Sequence, residues 1–389
     1  MKNVLLVFGG ESYEHDISIV SAFQIYKKAR LDQEKLILLY ISRDGKFFVC
    51  DEKRVVLSDF SKNNFDGKKK GFKEVVLVSS EKQRLFEKTR FGLREYIKAD
   101  VAIFACHGGD GENGKLISLF ENVGIACSAG AFDSLAICMD KFLFKAISKG
   151  LKVPVVRGIK VSKLEYILEF EKILKMVKLM QYPVVLKINS GGSSIGLFVA
   201  KNEEEFCEKI KESFEFNDDL IVEKFIQGAR EFNIAILGDS ENYEISEIDE
   251  PIKNNEVLTF ADKYLSSNGG KSGGSKNAKG SMDLSIRRNP IDLSEDIKTS
   301  MKKIAEKLFL NLGLYGVVRI DFLFDESNNK IYVCEVNTIP GSLAFYFFKK
   351  NKIISNDLIE KLIGIAYRNH RKKCVKQDFI VNILDKNNS

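Results

Sequence analysis

The chain has 389 residues, 44% of them hydrophobic and 29% charged, and a formal net charge of +6 at pH 7. This length allows two or three domains with a large core, and the composition is that of an ordinary soluble globular protein. Lysines are spread along the chain without a concentrated basic arm, which argues against nucleic-acid binding.

The sequence also predicts a cytoplasmic location. No stretch approaches the roughly 20 apolar residues of a membrane span. The first apolar run meets Gly9 too early for a signal peptide. The seven cysteines are scattered and form no CxxC pair, as expected for buried, reduced thiols.

The first predicted domain, residues 1–132, alternates apolar runs with a helical pattern. This alternation predicts an open α/β domain with a parallel sheet. Residues 43–98 are more polar and should hold extra strands and loops. The predicted elements are strands at 3–8, 36–41, 75–78 and 101–105, and a helix at 17–29.

The second predicted domain, residues 133–227, is a small α+β unit. It opens with one predicted helix over 133–149, which Gly150 ends. The remaining predicted elements are a helix at 164–179, strands at 182–188 and 196–200, a helix at 203–214 and a strand at 220–225.

The third predicted domain, residues 228–389, contains a long irregular segment from about 250 to 290. Its centre is mostly Gly, Ser, Lys and Asn, a composition that cannot build a core. We expect a mobile lid over an active site; the alternative is a disordered insertion without a role. The predicted elements are strands at 231–237, 243–248, 317–322 and 332–337, and helices at 294–312 and 356–369.

The last two predicted strands carry alternating polar residues. Side chains two apart share a face, so Arg319 and Asp321 point one way from the first strand, and Glu335 and Asn337 one way from the second. If the strands pair, two carboxylates, an amide and a guanidinium converge. All-oxygen sites suit hard cations, and Mg²⁺ is commonly bound by a few carboxylates and nucleotide phosphates. The alternative is the solvated side of an ordinary hairpin.

A glycine loop follows the predicted strand that ends near Lys187. It runs from Ser190 to Gly196, and glycines allow backbone N–H groups to approach phosphates. The spacing fits neither a Walker A motif nor a Rossmann fingerprint. A loop of this kind taken alone is more often an ordinary hairpin. The strand at 220–225 has main-chain groups that could pair with an adenine edge, or it is an edge strand with routine charges.

Two glycine-containing turns, 9–14 and 107–114, each follow a predicted strand. Ligands of open α/β sheets bind beyond the carboxyl ends of the strands. Both turns could therefore reach one crevice, with Glu14 and His107 as polar contacts, although a lone histidine is more often structural. His15 and His370 are expected at the surface.

These motifs together resemble the ATP-grasp superfamily and, within it, the D-alanine–D-alanine ligase family. Each motif is modest alone, but they follow the family's order across nearly the whole chain. The matching stretches are 7–14, 107–114, 139–141, Lys187 with 191–196, 223–224, 231–237, 263–264, 319–321 and 335–341.

The resemblance implies an ATP-grasp fold: an N-terminal open parallel, Rossmann-like α/β domain and two α+β lobes that grip ATP. It also implies the roles of individual residues. The implied nucleotide contacts are Lys141, Lys187, Ser193, Ser194, Glu223, Lys224, Ile226, Glu231 (on the ribose) and Lys263. The implied metal ligands are Asp321, Glu335 and Asn337, for two Mg²⁺ ions, with Mn²⁺ as a substitute. The implied catalytic residues are Glu14, Ser193, Tyr264, Arg319 and Gly341. The implied substrate contacts are Glu14, His107, Arg319, Gly341, Ser342 and Tyr346.

The implied reaction joins two D-alanine molecules through an acyl phosphate, for peptidoglycan precursors, in a cytoplasmic homodimer. The stretch after Pro340-Gly341 departs from the family pattern, since Tyr346 stands where a serine is familiar. Ile188 also replaces a common proline. Tyr264 favours D-alanine over D-lactate as second substrate. The alternatives are ligation to D-serine or D-lactate, and a non-catalytic ATP-binding module.

Overall fold

The computed structural model describes residues 2–29, 34–51, 53–79, 84–192, 196–216, 219–251, 287–288, 292–348 and 355–373. Most of the predicted lid lies outside these ranges, as do Ser193, Ser194, Lys263 and Tyr264. No helix within the described ranges has the length and apolar character to cross a membrane.

The N-terminal part of the chain folds into one eight-stranded sheet. Its strands are β1 (Lys2–Gly9), β2 (Glu34–Ile41), β3 (Phe47–Cys50), β4 (Phe72–Val78), β5 (Arg84–Thr89), β6 (Gly92–Lys98), β7 (Val101–Phe104) and β8 (Ala126–Cys127). Their order is β6-β5-β4-β3-β2-β1-β7-β8, in which β2, β1, β7 and β8 are parallel and the other neighbours antiparallel. The predicted parallel sheet is thus wrong for the strand at 75–78. This strand lies in an antiparallel extension, where connections as short as the one between β5 and β6 reverse the chain.

Helix α1 (His15–Lys28), which was predicted over 17–29, lies against this sheet. Ile19, Ala22 and Ile25 are buried at helical spacing, and α1 contacts β1 and the irregular segment Gly341–Phe348. Two shorter helices follow β7, namely α2 (Gly109–Glu112) and α3 (Lys115–Asn122). A 3₁₀ turn, Leu57–Phe60, contacts α1, and its Phe60 is buried in the same core.

The prediction that His15 is a surface residue is wrong. Its side chain is fully buried at the start of α1. Its Nδ1 lies 2.7 Å from the Gly10 carbonyl oxygen, and its Nε2 lies 3.1 Å from the Tyr40 hydroxyl. Burial lowers the pKa of His15, although the Gly10 carbonyl opposes the shift. His370 is half-buried in the last helix.

The single helix predicted over 133–149 is two helices, α4 (Phe132–Met139) and α5 (Lys141–Gly150). Asp140 separates them, because its backbone is extended and its Oδ1 accepts a hydrogen bond of 2.9 Å from the Leu143 N–H. Aspartate is a favoured N-cap for this reason. Lys141 is therefore the first residue of a new helix.

The central part of the chain forms a four-stranded antiparallel sheet in the order β11-β10-β12-β9. Its strands are β9 (Gly158–Val161), β10 (Val184–Ile188), β11 (Phe198–Ala200) and β12 (Leu220–Lys224). Its helices are α6 (Lys163–Leu168), α7 (Phe170–Met180) and α8 (Glu203–Ser213), with a 3₁₀ turn at Phe214–Phe216. The helix predicted over 164–179 is interrupted at Glu169, whose φ of −130° leaves the helical region.

The C-terminal part forms a second four-stranded sheet in the order β14-β13-β17-β18. The strands of this part are β13 (Arg230–Gly238), β14 (Tyr243–Ile245), β15 (Glu250–Pro251), β16 (Arg287–Arg288), β17 (Gly316–Asp325) and β18 (Lys330–Asn337). Its helices are α9 (Glu295–Asn311) and α10 (Ser355–Lys373). Cys138 and Phe144, from α4 and α5, pack into the core of this sheet. The three predicted domains, 1–132, 133–227 and 228–389, remain a prediction about boundaries.

Candidate active site

The two strands that carry the alternating polar residues pair as predicted. In the register of β17 and β18, Arg319 is opposite Asn337 and Asp321 is opposite Glu335. The Asp321 carboxylate is buried and accepts bonds of 2.7 Å from both Nε and Nη2 of Arg319. The side-chain amide of Asn337 donates to the same carboxylate at 2.9 Å, and Asn233 donates at 2.8 Å. All four predicted residues therefore meet on one sheet face.

This face fits a hard cation by its donor chemistry. Asp321 and Glu335 supply carboxylate oxygens. The amide nitrogen of Asn337 is used by Asp321, so its amide oxygen is the atom for a cation. Across the described ranges, no three His, Cys, Asp or Glu side chains gather around a possible metal position. A cation here therefore needs the amide oxygen and phosphate oxygens as well, which is how Mg²⁺ is commonly held.

The Arg319 guanidinium is a fixed positive charge beside this face. Burial disfavours its charge, but the Asp321 carboxylate more than offsets this and holds the pKa of Arg319 well above its usual value. The two parallel hydrogen bonds also fix the plane of the guanidinium. The arrangement is suited to stabilising an anion next to a metal.

A second cluster lies on the central sheet. It is across the crevice between this sheet and the polar face of β17 and β18. Lys187 ends at 2.7 Å from one carboxylate oxygen of Glu223, and Lys145 ends at 2.6 Å from the other. Burial raises the pKa of Glu223, but Lys145 and Lys187 outweigh it and lower the pKa to about 2. Lys187 Nζ also lies 3.9 Å from the Cys334 thiol, on β18. The two clusters therefore face each other.

Lys141 is brought to the glycine loop by the start of α5. Its backbone N–H donates to the Asn189 carbonyl at 3.1 Å, and its ammonium donates to the Gly191 carbonyl. Two predicted phosphate-binding lysines, Lys141 and Lys187, thus lie on the same side of the crevice.

The residues predicted at the adenine and ribose lie where β12 leads into β13. The Lys224 ammonium donates to the carbonyls of Gln181 and Tyr182, at 2.9 and 3.4 Å. Ile226 and Glu231 are half-buried in this connection and at the start of β13. Their contacts with a nucleotide stay predictions.

A cavity of about 520 Å³ lies between the N-terminal turns and the glycine loop. Glu14, Gly108 and Gly192 line it, and the Tyr13 and Phe216 rings meet edge-on beside it, 6.1 Å between centroids. A Cβ atom at Gly192 would lie 2.3 Å from Glu14 Oε2, and one at Gly108 would lie 2.7 Å from it. Only residues without side chains can approach the carboxylate this closely.

His107 directly precedes Gly108, which lines this cavity. Its ring is buried, with Nε2 at 2.9 Å from the Ser21 hydroxyl. Burial lowers its pKa to about 4, so the ring is neutral at pH 7. In this position His107 supports the turn, and its predicted contact with a substrate stays a prediction.

The segment after Pro340-Gly341 takes an unusual backbone. Ser342, Leu343 and Ala344 have φ values of 51°, 53° and 49°, in the left-handed region that residues with a Cβ rarely adopt. Ser342 is buried: its N–H donates to the Ser21 hydroxyl at 3.3 Å and its hydroxyl donates to Gln24 at 2.5 Å. The predicted substrate contact Ser342 is thus engaged by α1.

Tyr346 is half-buried at the other end of this segment. Its ring contacts those of Phe345 and Phe347, with centroids 5.8 and 4.8 Å away. The substrate contacts predicted for Ser342 and Tyr346 both stay predictions.

Three residues of the site are missing from the sequence-based prediction. Asn233 donates a hydrogen bond to Asp321, and Lys145 forms an ion pair with Glu223, as described above. Glu112 accepts a hydrogen bond of 3.0 Å from the Gly108 N–H, and burial, with the nearby charge of Glu14, raises its pKa to about 7. Only Lys145 has a usable sequence signal, because it follows Lys141 by four residues and so shares its helix face.

Comparison with known protein families shows which family the chain that carries these residues belongs to. Residues 3–130 match the family described as D-ala D-ala ligase N-terminus, and residues 147–364 match the one described as D-ala D-ala ligase C-terminus. The chain belongs to the D-alanine–D-alanine ligase family.

Individual proteins agree with this membership. The chain is 32% identical to the D-alanine–D-alanine ligase of Thermosipho africanus over 374 residues, which are 96% of this chain and 95% of that one. The structure of the D-alanine–D-alanine ligase from Coxiella burnetii matches with a TM-score of 0.77 at 24% identity, covering 100% of this chain and 99% of that one. The structure of VanG D-Ala:D-Ser ligase from Enterococcus faecalis matches with a TM-score of 0.75 at 24% identity, covering 94% and 99%. The family and the ATP-grasp fold predicted from the motifs are confirmed. The fold alone does not choose the second substrate.

Proposed function

We propose that this protein catalyses the ATP-dependent ligation of two D-alanine molecules to D-alanyl-D-alanine, for peptidoglycan precursors. One observation carries the proposal beyond family membership. The Nζ atom of Lys187 lies 3.9 Å from the thiol of Cys334, the residue before Glu335 on β18. Lys187 is therefore next to the sheet face that carries Arg319, Asp321, Glu335 and Asn337. Cationic side chains and an oxygen-rich sheet face lie next to each other, which supports the proposal.

The first step activates a carboxylate. A carboxylate oxygen of the first D-alanine attacks the γ-phosphorus of ATP, the bond to the β-phosphate oxygen breaks, and ADP leaves. Lys141 and Lys187 bind phosphate oxygens and offset their negative charge. Glu14 binds the ammonium of this D-alanine in the cavity described above. The product of the step is an acyl phosphate.

The second step forms the peptide bond. The neutral amine of the second D-alanine attacks the acyl carbonyl, and the tetrahedral intermediate then expels phosphate. The nitrogen loses one proton, which the departing phosphate accepts, and keeps the other as the amide N–H. Arg319 and the Gly341 N–H stabilise the oxyanion, because fixed donors need no reorganisation as charge develops. Exclusion of water protects the acyl phosphate from hydrolysis.

Asp321, Glu335 and Asn337 would hold Mg²⁺, for which we propose two ions, or Mn²⁺ in its place. When bound, the metal offsets negative charge on the phosphate oxygens. The proposal also includes the roles implied for Ser193, Ser194, Lys263 and Tyr264. These four residues lie outside the described ranges. The proposal includes a homodimer in the cytoplasm, where ATP is supplied. Sedimentation equilibrium tests the dimer, and the mass of a single chain at working concentration would contradict it.

The product identifies the reaction. Purified protein with ATP, Mg²⁺ and D-alanine labelled with ¹⁸O in its carboxylate should yield D-alanyl-D-alanine, ADP and phosphate carrying one ¹⁸O atom. Mass spectrometry measures all three. Transfer of the label is expected because the attacking carboxylate oxygen leaves with the phosphate. Absence of turnover with intact ATP binding would instead indicate a binding module.

A second candidate is ligation to D-serine or D-lactate, favoured by the altered segment around Tyr346. Addition of either compound in competition with D-alanine decides between them. We expect D-alanyl-D-alanine to remain the main product. A mixed product that dominates at equal concentrations would assign the second site to the other substrate.

Gly192→Ala tests the role of Glu14. The new Cβ would lie 2.3 Å from Glu14 Oε2, so the carboxylate or the glycine loop must move. We expect kcat/KM for D-alanine to fall about 100-fold, as for a misplacement of roughly 1 Å in an active site. Gly150→Ala is the matched control, because no atom beyond its chain neighbours and its own helix backbone lies within 4 Å of the point that its new Cβ would occupy. Unchanged kcat/KM in Gly192→Ala would exclude Glu14 from substrate binding.

A further inference from the structure

A lysine with no part in the proposed mechanism, Lys145, is buried beneath the phosphate-binding side of the crevice. Its side chain is 4% exposed. Its ammonium lies 2.6 Å from Glu223 Oε1 and 3.4 Å from the Val156 carbonyl oxygen. A buried ammonium is costly unless it is paired, so this position holds a lysine for its charge.

The Glu223 carboxylate has two cationic partners, one on each oxygen. Lys187, at 2.7 Å, is the partner on the crevice side: its side chain is 15% exposed, against 4% for Lys145. The three groups sum to one positive charge. Lys187, the more exposed of the two lysines, is therefore the one that an arriving anion can reach.

Lys145 cannot follow Lys187 toward a ligand. It lies one turn after Lys141 on α5. The start of this helix is fixed to the central lobe by two bonds of 3.1 Å, from the backbone N–H groups of Lys141 and Phe142 to Asn189. The ion pair of Lys145 with Glu223 is thus fixed by the position of α5. The ion pair of Lys187 with Glu223 lies on the more exposed side of the carboxylate.

We propose that Lys145 is a positioning residue that neutralises Glu223, so that Lys187 is released to bind a phosphate oxygen of the nucleotide. With Lys145 in place, Glu223 keeps a cationic partner when Lys187 turns away. Without it, Lys187 must stay on Glu223, because a buried carboxylate without a partner is strongly unfavourable. The inference rests on the proposed function only in naming the anion as a nucleotide phosphate.

The test compares a nucleotide with and without phosphates. Calorimetry with the full chain and Mg²⁺ measures the affinity for AMP-PNP, a non-hydrolysable ATP analogue, and for adenosine. Lys145→Met should weaken AMP-PNP binding by about 10- to 100-fold, the range seen when a residue that orients a ligand is removed. The affinity for adenosine should stay within about twofold, since no phosphate contact depends on Lys187 there. Lys145→Arg should recover most of the AMP-PNP affinity.

Lys149→Met is the matched control, because Lys149 is exposed one turn later on the same helix. It should bind AMP-PNP as the parent protein does. Equal weakening for adenosine and AMP-PNP in Lys145→Met would show a merely structural role and overturn the proposal.

A second background keeps the test decisive if Lys145→Met does not fold. In Glu223→Gln there is no carboxylate to neutralise, so adding Lys145→Met should change AMP-PNP affinity less than twofold. A further loss of tenfold or more there would overturn the proposal. If the parent protein forms the dipeptide and Lys145→Met binds AMP-PNP normally, this inference alone is wrong. If the parent protein binds AMP-PNP but forms no dipeptide, only the proposed reaction is wrong.

Discussion

Glu335→Gln should lower kcat for dipeptide formation by roughly 1,000-fold, which corresponds to several kcal/mol of lost stabilisation of phosphoryl charge. Glutamine keeps the size of the side chain and one oxygen but removes the negative charge that a divalent cation prefers. Glu335 is half-buried and opposite Asp321 in the sheet. The Mg²⁺ concentration needed for half-maximal rate should rise in parallel. Release of ADP measures both quantities.

The fold should survive this change. Burial raises the pKa of the neighbouring Asp321, and the charge of Glu335 adds to this shift, so removal of that charge relieves a repulsion in the metal-free protein. Thermal unfolding without Mg²⁺ should therefore occur at the same or a slightly higher temperature. Glu171→Gln, on the exposed side of α7, controls for the substitution itself. Parent-like kcat and Mg²⁺ dependence in Glu335→Gln would remove this residue from the metal site.

The polar face was predictable from sequence because the signal is local. Alternation of side chains on a strand has a period of two, so Arg319 and Asp321, or Glu335 and Asn337, share a face wherever the strand lies. The short connection between them made antiparallel pairing the natural expectation. Both steps depend on neighbours in the chain alone. The register in the structure agrees with them.

The failures lie where distant parts of the chain meet. Burial of His15 depends on Tyr40, whose hydroxyl lies 3.1 Å from Nε2 of the ring. No local sequence pattern reveals that partner. The pairing of Glu223 with two lysines was missed because they come from α5 and β10, far from it in the chain. The predicted nucleotide contact of Glu223 stays a prediction. The break at Asp140 is different, since an aspartate before a helical run is itself a cap signal. An apolar pattern that continued across it concealed the signal.

Arg319→Met should reduce both stability and activity, for separable reasons. The substitution leaves the buried Asp321 carboxylate without a cation, with only the amides of Asn233 and Asn337 as partners from the polar face. Breaking a buried ion pair in this way costs about 3–5 kcal/mol. Loss of an oxyanion donor should lower kcat about 100- to 1,000-fold. The urea midpoint is best followed by circular dichroism, because the chain has no tryptophan.

The double variant Arg319→Met/Asp321→Leu separates the two effects. It replaces the pair, linked by two bonds of 2.7 Å, with apolar side chains of similar volume. Such replacements are often neutral or stabilising, so the urea midpoint should return most of the way to that of the parent protein. Activity should not recover and should fall below that of Arg319→Met, because the oxyanion donor and a metal ligand are both gone. If the double variant is as unstable as Arg319→Met, the cost comes from packing around residue 319, since an unpaired Asp321 carboxylate can no longer contribute.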